Sequence, residues 1–211
     1  MSTVKSKKLQ VGTDATATNN FTIYQPSTPD GTLRIGVGNA DSPTEVNRFT
    51  SNGITDASGQ LLSNTPAFSA YMSGNQSVAN VTLVKVLFNT EEFDTAGAFD
   101  TSTNRFTVPS GQGGKYLVNQ CLIGDSGQNN NRYLNILYLY KNNGLYRQSY
   151  QWDIAASYGR NTALSMTNIV DLNAADYLET FAYLQGSISG SGLFVQGGQT
   201  NASFSAHKLI T

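Results

Sequence analysis

The chain has 211 residues, a net charge of −1 and a charged fraction of only 13%. This balance gives no electrostatic basis for binding nucleic acid or an anionic membrane, and a single cysteine excludes an internal disulfide. No apolar run approaches the roughly 18 residues of a membrane-spanning helix, and the N-terminal lysines are not followed by the apolar stretch of a secretory signal.

The first 65 residues differ in composition from the rest. Short strands are predicted at residues 21–24, 33–37 and 46–50, and four of the five prolines lie between Pro26 and Pro66. So few apolar residues cannot form an independent core of useful size. We therefore expect this segment to gain its order from a partner, either copies of the chain or a larger assembly. The residues predicted to attach it are Lys5, Lys7, Lys8, Phe21, Tyr24, Leu33 and Ile35.

Residues 66–211 alternate between apolar and polar positions, and clusters of Gly, Asn, Ser and Asp interrupt them at short intervals. This pattern predicts a sandwich or barrel of many short strands. The longer predicted strands are residues 81–88, 116–123, 133–140, 146–152, 164–172, 177–185 and 202–210. In residues 146–152 the aromatic side chains share one face, which predicts that this face is buried.

Two connections between these strands are predicted from their residues. The dipeptide Asn142-Asn143 followed by Gly144 is typical of a tight hairpin turn. Residues 173–180 could form a helix, because Ala174 and Ala175 favour one. The aspartates at both sides favour a turn between strands instead, and we predict a turn.

A series of short motifs in residues 66–211 resembles the jelly-roll domain of the complement-type globular heads and of the tumour necrosis factor family. In chain order they are Pro66-Ala67-Phe68-Ser69-Ala70, Phe88-Asn89, Phe93-Asp94, Phe99-Asp100 with Phe106-Thr107-Val108-Pro109, Gly114-Lys115-Tyr116, Leu139-Tyr140-Lys141-Asn142-Asn143-Gly144, Ile169-Val170-Asp171-Leu172 with Asp176-Tyr177-Leu178, and Ala202-Ser203-Phe204-Ser205-Ala206. Ala175 and Ala206 stand where the family has glycine.

The resemblance implies an all-β jelly-roll sandwich over residues 66–211 that assembles as a trimer, preceded by the β-rich attachment segment of residues 1–65. A trimer would bury aromatic faces around its threefold axis. The candidates for that interface are Tyr133, Tyr138, Tyr140 and Tyr177. The alternative is that these tyrosines fill the core of each subunit.

A second resemblance concerns the N-terminal segment. Asp30-Gly31-Thr32-Leu33-Arg34-Ile35, Gly38-Asn39-Ala40 and Ser51-Asn52-Gly53 resemble β-rich stretches in fibre and other virion proteins of marine phages. The two resemblances together imply a non-enzymatic structural protein on the virion surface, assembled in the host cytoplasm. Its expected partners are two copies of itself and other virion proteins, the major capsid protein first. Its small size favours a capsid decoration or head-fibre protein.

The alternative function is a tail-fibre or tail-tip protein that recognises a host surface glycan or protein. Loops rich in Tyr, Asn and Ser suit this role, because aromatic rings stack on sugars and amides supply hydrogen bonds. The candidate loops are residues 124–132, 155–161 and 186–199. Their candidate contact residues are Gln128, Asn130, Arg132, Tyr158 and Arg160.

Several motifs that could carry chemistry lack the partners they need. Gly124-Asp125-Ser126-Gly127 spells a serine-protease motif, but the only histidine, His207, comes after the serine. One Cys and one His cannot form a structural zinc site in one chain, although a ring of three His207 around a trimer axis is conceivable.

The acidic residues do not form a recognisable metal or catalytic site either. Calcium could use loop oxygens near Asp94, Asp100 or Asp125, but no loop has the alternating ligands of a dedicated site. Glu91-Glu92 with Asp94 is most simply a solvated loop, and the 14 acidic residues give no pair for glycoside hydrolysis. We therefore predict no enzymatic activity, no cofactor and no metal.

Overall fold

The computed structural model of the protein describes residues 8–51, 53–57, 59, 66–127, 132–153, 159–186 and 192–209. The chain folds into two compact units, Met1–Ser63 and Asn64–Thr211. In the described ranges, all regular structure is β-strand except the 3-10 turn Ala17–Asn19. The predicted all-β class is confirmed. No helix within these ranges is long and apolar enough to cross a membrane.

The N-terminal unit contains one antiparallel sheet in which consecutive strands pair side by side. Its strands are β1 (Lys8–Val11), β2 (Phe21–Tyr24), β3 (Leu33–Val37), β4 (Thr44–Thr50) and β5 (Gly53–Asp56). The connections are two to nine residues long and contain many of the Gly, Pro, Asn and Asp residues that favour turns. No large apolar side chain in the described part of this unit is buried, so the sheet has no core of its own.

The second unit contains thirteen named strands. They are β6 (Ala67–Tyr71), β7 (Gln76–Ser77), β8 (Thr82–Lys85), β9 (Thr90–Asp94), β10 (Phe99–Asp100), β11 (Arg105–Thr107), β12 (Gly114–Asp125), β13 (Arg132–Lys141), β14 (Gly144–Trp152), β15 (Asn161–Leu172), β16 (Tyr177–Gly186), β17 (Phe194–Val195) and β18 (Ser203–Lys208). The predicted strand at residues 81–88 is shorter than expected, since only β8 is formed there.

These strands form two sheets. One has the order β10-β11-β16-β13-β14, with β8 also paired to β16, and the other has the order β7-β17-β12-β18-β6-β9, with β15 paired to β12. Apart from the β13–β14 hairpin, the successive long strands β12 to β18 alternate between the two sheets. This crossing of the chain from sheet to sheet is the jelly-roll sandwich that the sequence predicts.

The core between the sheets is built around phenylalanine rings. Phe68 stacks on Phe99 and Phe106 at centroid distances of 4.7 and 5.0 Å, and it meets the edge of Phe204 at 5.0 Å. Phe88 closes the group at 5.7 Å from Phe204. All five rings are buried. Ring contacts of this kind add roughly 0.5–1.5 kcal/mol each beyond area burial, which gives this unit the core that the N-terminal unit lacks.

Both predicted turns are confirmed. Asn142 and Asn143 have φ angles of 51° and 67° between β13 and β14, the left-handed pair of a two-residue hairpin. Ala175 has a φ angle of 69° in the turn before β16. A glycine would adopt this conformation without steric cost, which explains why the resembling family has glycine at this position.

The prediction for residues 146–152 is wrong in one respect. Tyr150 and Trp152 are 63% and 60% exposed instead of buried. The reason is that β14 is the edge strand of its sheet and pairs only with β13 in the described structure. Alternation in the sequence identifies two faces of a strand, but the position of the strand in its sheet decides whether either face is covered.

Candidate interaction surfaces

The predicted receptor loops leave the jelly roll at one end, which we call the distal end. There, Asp125 of β12 lies opposite Asn161 of β15, and Arg132 of β13 bridges to Gly159. The chain enters the unit at the other end, where the Lys208 amide donates to the Pro66 carbonyl at 3.1 Å. Of the predicted contacts, Arg132 and Arg160 are therefore neighbours, while Gln128, Asn130 and Tyr158 lie outside the described residues.

Arg132 is fully buried at the distal end. Its Nη2 lies 3.1 Å from Oδ2 of Asp153 and also donates to Oγ1 of Thr162. Its Nε and Nη1 find no acceptor in the described structure. Burial lowers the pKa of this guanidinium. A Cβ at Gly159 would lie 2.9 Å from Nη2, so a larger residue there would displace the guanidinium from its present position. Arg132 therefore braces the base of the loops and is not a free surface contact.

Asp125 supports the same loops from the other side. Its buried carboxylate accepts a hydrogen bond from the Gly127 amide at 2.7 Å and another from the side chain of Gln196. Nε of Arg160, which is half exposed, lies 3.7 Å away. Asp125 and Arg132 thus hold the bases of the distal loops through separate polar contacts. Of the two predicted contact residues that the structure describes, Arg160 is the one exposed enough to bind a partner.

The structure does not place the residues of the protease-like motif in a catalytic arrangement. Ser126 Oγ donates to the Arg160 carbonyl at 3.1 Å. His207 pairs with Leu117, nine residues away from Ser126 along β12, which is roughly 30 Å in an extended strand. The two side chains cannot form a catalytic pair within one chain. The motif is a turn that ends β12.

The aromatic face is the outward side of the sheet that contains β8, β16, β13 and β14. The strand register places Leu83, Tyr183, Ile136 and Tyr150 in one row across it, with Trp152 on the same side of β14. Tyr150 and Trp152 are its most exposed members. Their alternation was visible in the sequence, but it predicted a buried face, so neither ring was among the predicted surface residues.

The four tyrosines predicted for a trimer interface lie on or beside this aromatic face, and all are half-buried. Tyr138 and Tyr140 contact each other at 6.3 Å, and Tyr140 packs on Phe181 at 4.5 Å. Tyr133 lies 5.9 Å from Trp152. These contacts fill space within one subunit, and whether a second subunit also touches the tyrosines stays a prediction.

Tyr177, the fourth of these tyrosines, belongs to an ion cluster that was not predicted from the sequence. The Arg105 guanidinium lies 3.9 Å above its ring. Arg105 Nη2 and Lys85 Nζ both contact Oε1 of Glu179, at 2.9 and 2.6 Å. Glu179 is only 1% exposed. Because Lys85 and Arg105 are 94 and 74 positions from Glu179 in sequence, no local pattern could have revealed the cluster.

The flat face is the outward side of the other sheet. Its register aligns Ile169, Leu117, His207 and Ala67 in one row, and Thr167, Asn119, Ser205 and Ser69 in the next. Ile169 is 60% exposed, and the remaining side chains are mostly small. His207 thus lies on an open face, as a ring of three would require. Cys121 lies on the same side of β12, and burial raises the pKa of its thiol.

The N-terminal sheet has two unlike faces. The register places Phe21, Leu33 and Ile35 on one side, which we call the apolar face, and Tyr24 with Lys8 on the other, which we call the polar face. The attachment residues predicted from sequence are therefore divided between the two faces. Lys5 and Lys7 lie outside the described residues.

The carboxylates considered for calcium are occupied by their own turns. Asp94 accepts hydrogen bonds from the amides of Ala96 and Phe99 at 3.0 and 2.7 Å. The Ser102 hydroxyl lowers the pKa of Asp100 to about 2. In the described ranges, no three potential metal ligands cluster together. Glu92, from the acidic stretch, accepts hydrogen bonds from Ser69 and Gln199.

Comparisons with known proteins give likenesses to solved structures. No protein-family model matches the sequence, and no curated protein matches it. A crystal structure of murine APRIL aligns over 68% of this chain and 98% of its own, with a TM-score of 0.50 and 7% identity. The globular domain of zebrafish complement 1qA covers 69% and 98% (TM-score 0.48, 15% identity), and Eiger TNF from S. frugiperda covers 70% and 94% (TM-score 0.49, 13% identity).

At identities this low, the likeness to APRIL concerns the fold alone. Together with the two-sheet topology of residues 66–211, it confirms the jelly-roll fold predicted from the motifs. The resemblance of the N-terminal segment to phage fibre proteins has no counterpart among these structures and stays a prediction.

Proposed function

We propose that the protein is a non-enzymatic structural protein of a phage particle. In this proposal the jelly roll is a trimeric knob on the virion surface, and the N-terminal unit attaches it to the particle, as in a capsid decoration or head-fibre protein. The partners are two further copies of the chain and other virion proteins, the major capsid protein first. Assembly takes place in the host cytoplasm without nucleic acid or membrane contact.

The observation that carries the proposal is the contrast between the two units. The jelly roll buries a complete phenylalanine core, whereas the N-terminal sheet buries no large apolar side chain in its described part. A sheet with one apolar face must pack against another layer to be stable. A unit of this kind is suited to an assembly, because a partner there can cover its apolar face.

The flat face supports the trimer. It combines the exposed Ile169 with Leu117 and several small side chains, and its charged pair Lys115 and Asp171 lies at one end. A centre with few charged side chains is typical of protein interfaces. The resemblance to complement-type heads and tumour necrosis factor proteins implies the same oligomeric state. A trimer would engage a capsid lattice three times, so weak individual contacts would add through effective concentration.

The test is the copy number of this chain in purified particles, measured by quantitative mass spectrometry against the major capsid protein. A ratio near one, or a small fraction that repeats with the lattice, is the expected result for a decoration protein. A few copies per particle would place the protein on the tail. Complete absence from particles would overturn the virion role.

A second candidate function, receptor recognition by a tail protein, is favoured by the exposure of Tyr150 and Trp152. The two rings lie near the distal end on one side of β14, and the exposed Gln148 on the same side supplies an amide group. Exposed rings beside an amide group suit stacking and hydrogen bonding to a host surface glycan.

This second function is tested by glycan-array binding and by adsorption of particles to host cells. Trp152→Ala should abolish binding if the rings hold a sugar. Leu145→Ala is the matched control, because Leu145 is 53% exposed at the opposite end of β14. Equal binding by the wild type and both variants would remove this function from the β14 aromatics.

A further inference from the structure

We propose that the apolar face of the N-terminal unit is covered by the same face of two further copies, so that three sheets form a three-sided stalk with a shared core. This inference rests on the proposed trimer and assigns its N-terminal part a partner. The capsid contact is then left to the polar face and to the outer edges of the sheets.

The apolar face is composed largely of aliphatic and aromatic side chains. Across β1 to β5 the pairing aligns Leu9 with Ile23 and Ile35, and Leu33 with Phe49 and Ile54. Val11, Phe21 and Val37 form a further row of the same face. Six of these side chains are 41–59% exposed: Leu9, Val11, Phe21, Leu33, Phe49 and Ile54.

The polar face, by contrast, already has its partners within the sheet. Arg34 contacts Asp30 at 2.5 Å and Glu45 at 2.7 Å, and Glu45 also contacts Arg48 at 2.5 Å. The Thr22 hydroxyl donates to the Gly38 carbonyl at 3.0 Å. These groups are satisfied within one sheet, so the polar face is suited to water and does not need a covering layer.

The charge of the apolar face favours a second copy as its occupant. Within the described residues, the pairing places a single charged side chain, Asp56, on this face, and it lies on the outermost strand β5. A face that is this apolar resembles half of a divided core, which is typical of obligate contacts between identical subunits. With only one carboxylate at its edge, the apolar face offers a different virion protein little charge complementarity for specific recognition.

The size of the apolar face also fits a contact between linked copies. Five strands about 4.8 Å apart, four of them with four or five residues at about 3.3 Å per residue and β4 with seven, give a common face of roughly 24 by 15 Å. Three such faces amount to roughly 1,000 Å², which is less than the roughly 1,200–2,000 Å² that a stable interface between two free proteins buries. In a trimeric knob the linked sheets would meet at an effective concentration in the millimolar range, where such an area suffices.

The experiment is disulfide cross-linking of the full chain in a Cys121→Ser background. Ile23→Cys places a thiol in the middle of the apolar face, and Tyr24→Cys places one on the polar face of the same strand, both at half-buried positions. The expected result is that mild oxidation links about two of every three Ile23→Cys chains into dimers. Tyr24→Cys should remain monomeric on a denaturing gel, because its thiols would face outward.

Light scattering of the unoxidised protein separates the two proposals. A trimer whose Ile23→Cys chains do not cross-link, or cross-link no more than Tyr24→Cys, overturns the shared stalk and leaves the trimeric knob standing. A monomer overturns both. Protection of the Ile23→Cys thiol from maleimide on assembled particles, together with labelling in the free trimer, would show that a capsid protein covers the face and would also overturn the inference.

Discussion

The two units of this protein use the same β-structure in different ways. In the jelly roll, every long strand except β14 buries side chains on one side, and rings from β6, β10, β11 and β18 meet in one core. In the N-terminal unit, the strands pair fully, but nothing described in that unit lies against their apolar side. Hydrogen bonding between strands therefore gives a sheet its shape, whereas stability as a separate body requires a second layer. Matched changes in the two units should accordingly have unequal effects.

The largest expected difference concerns the loss of a phenylalanine. Phe68→Ala should lower the free energy of unfolding of the jelly roll by about 3–5 kcal/mol, because it leaves a cavity between three neighbouring rings. Phe49→Ala, at a 41% exposed position of the other unit, should leave that value unchanged. Urea unfolding followed by the fluorescence of Trp152, the single tryptophan, measures both variants. Equal losses would show that the two units unfold as one.

The next difference concerns ion clusters. Glu179→Gln should destabilise the jelly roll by about 3 kcal/mol, because it leaves Lys85 and Arg105 without their buried counter-charge. In the N-terminal unit, Glu45→Gln should cost about 1 kcal/mol or less, since the Glu45 side chain is 13% exposed, against 1% for Glu179. Urea unfolding reports the first value, and amide hydrogen exchange of β3 and β4 reports the second.

Acid should weaken the jelly roll through Asp176. The Lys141 ammonium, followed by the Asn142 side chain, lowers the pKa of this carboxyl to about 2. A carboxyl whose pKa is lower in the folded state stabilises the fold above its unfolded pKa, and the contribution disappears as the pH falls from about 4 to about 2. Asp176→Asn should thus cost about 1–2 kcal/mol at pH 7 and almost nothing at pH 2. A loss that is independent of pH would point to packing alone.

The smallest expected effects on stability come from substitutions at turn residues with positive φ angles. The substitution in the jelly roll should stabilise its unit, and the one in the N-terminal unit should destabilise its unit. Ala175→Gly should stabilise the jelly roll by up to about 1 kcal/mol, because its φ angle of 69° is strained for alanine. Gly31→Ala should destabilise the N-terminal sheet by a similar amount, since Gly31 has a φ angle of 81° with nothing near its missing Cβ. Thermal unfolding measures the first, and hydrogen exchange of β2 and β3 the second. The same sign in both would contradict the backbone explanation.

Local features of the fold could be predicted because their causes are local. Alternation placed most of the strands, the Asn142-Asn143 pair fixed a hairpin, and the motif order predicted a jelly roll that the strand topology confirms. The strand predicted at residues 81–88 ends earlier than expected, at Lys85. Residues 86–88 are as apolar as a strand, but they continue as irregular chain in which Val86 and Phe88 are buried and Leu87 is exposed.

The candidate surfaces could be predicted only in part. The sequence identified Arg132 and Arg160 as candidate contact residues in two loops, but it could not show that these residues are neighbours or that Arg132 is buried against Asp153 and Thr162. It could not reveal Glu179 and its two cations either, because these three residues come together only when β16 pairs with β8 and β11.

Composition and alternation were enough to predict the fold class of the protein. The period of two indicated an all-β fold, and the single cysteine excluded an internal disulfide. They also indicated that the first 65 residues hold too few apolar side chains for a core. The three-dimensional structure was needed to show which alternating faces are covered, since the β14 aromatics and the N-terminal apolar face have the same pattern as buried strands. The physical reason is that alternation is a property of one strand, whereas burial depends on the layer that lies opposite.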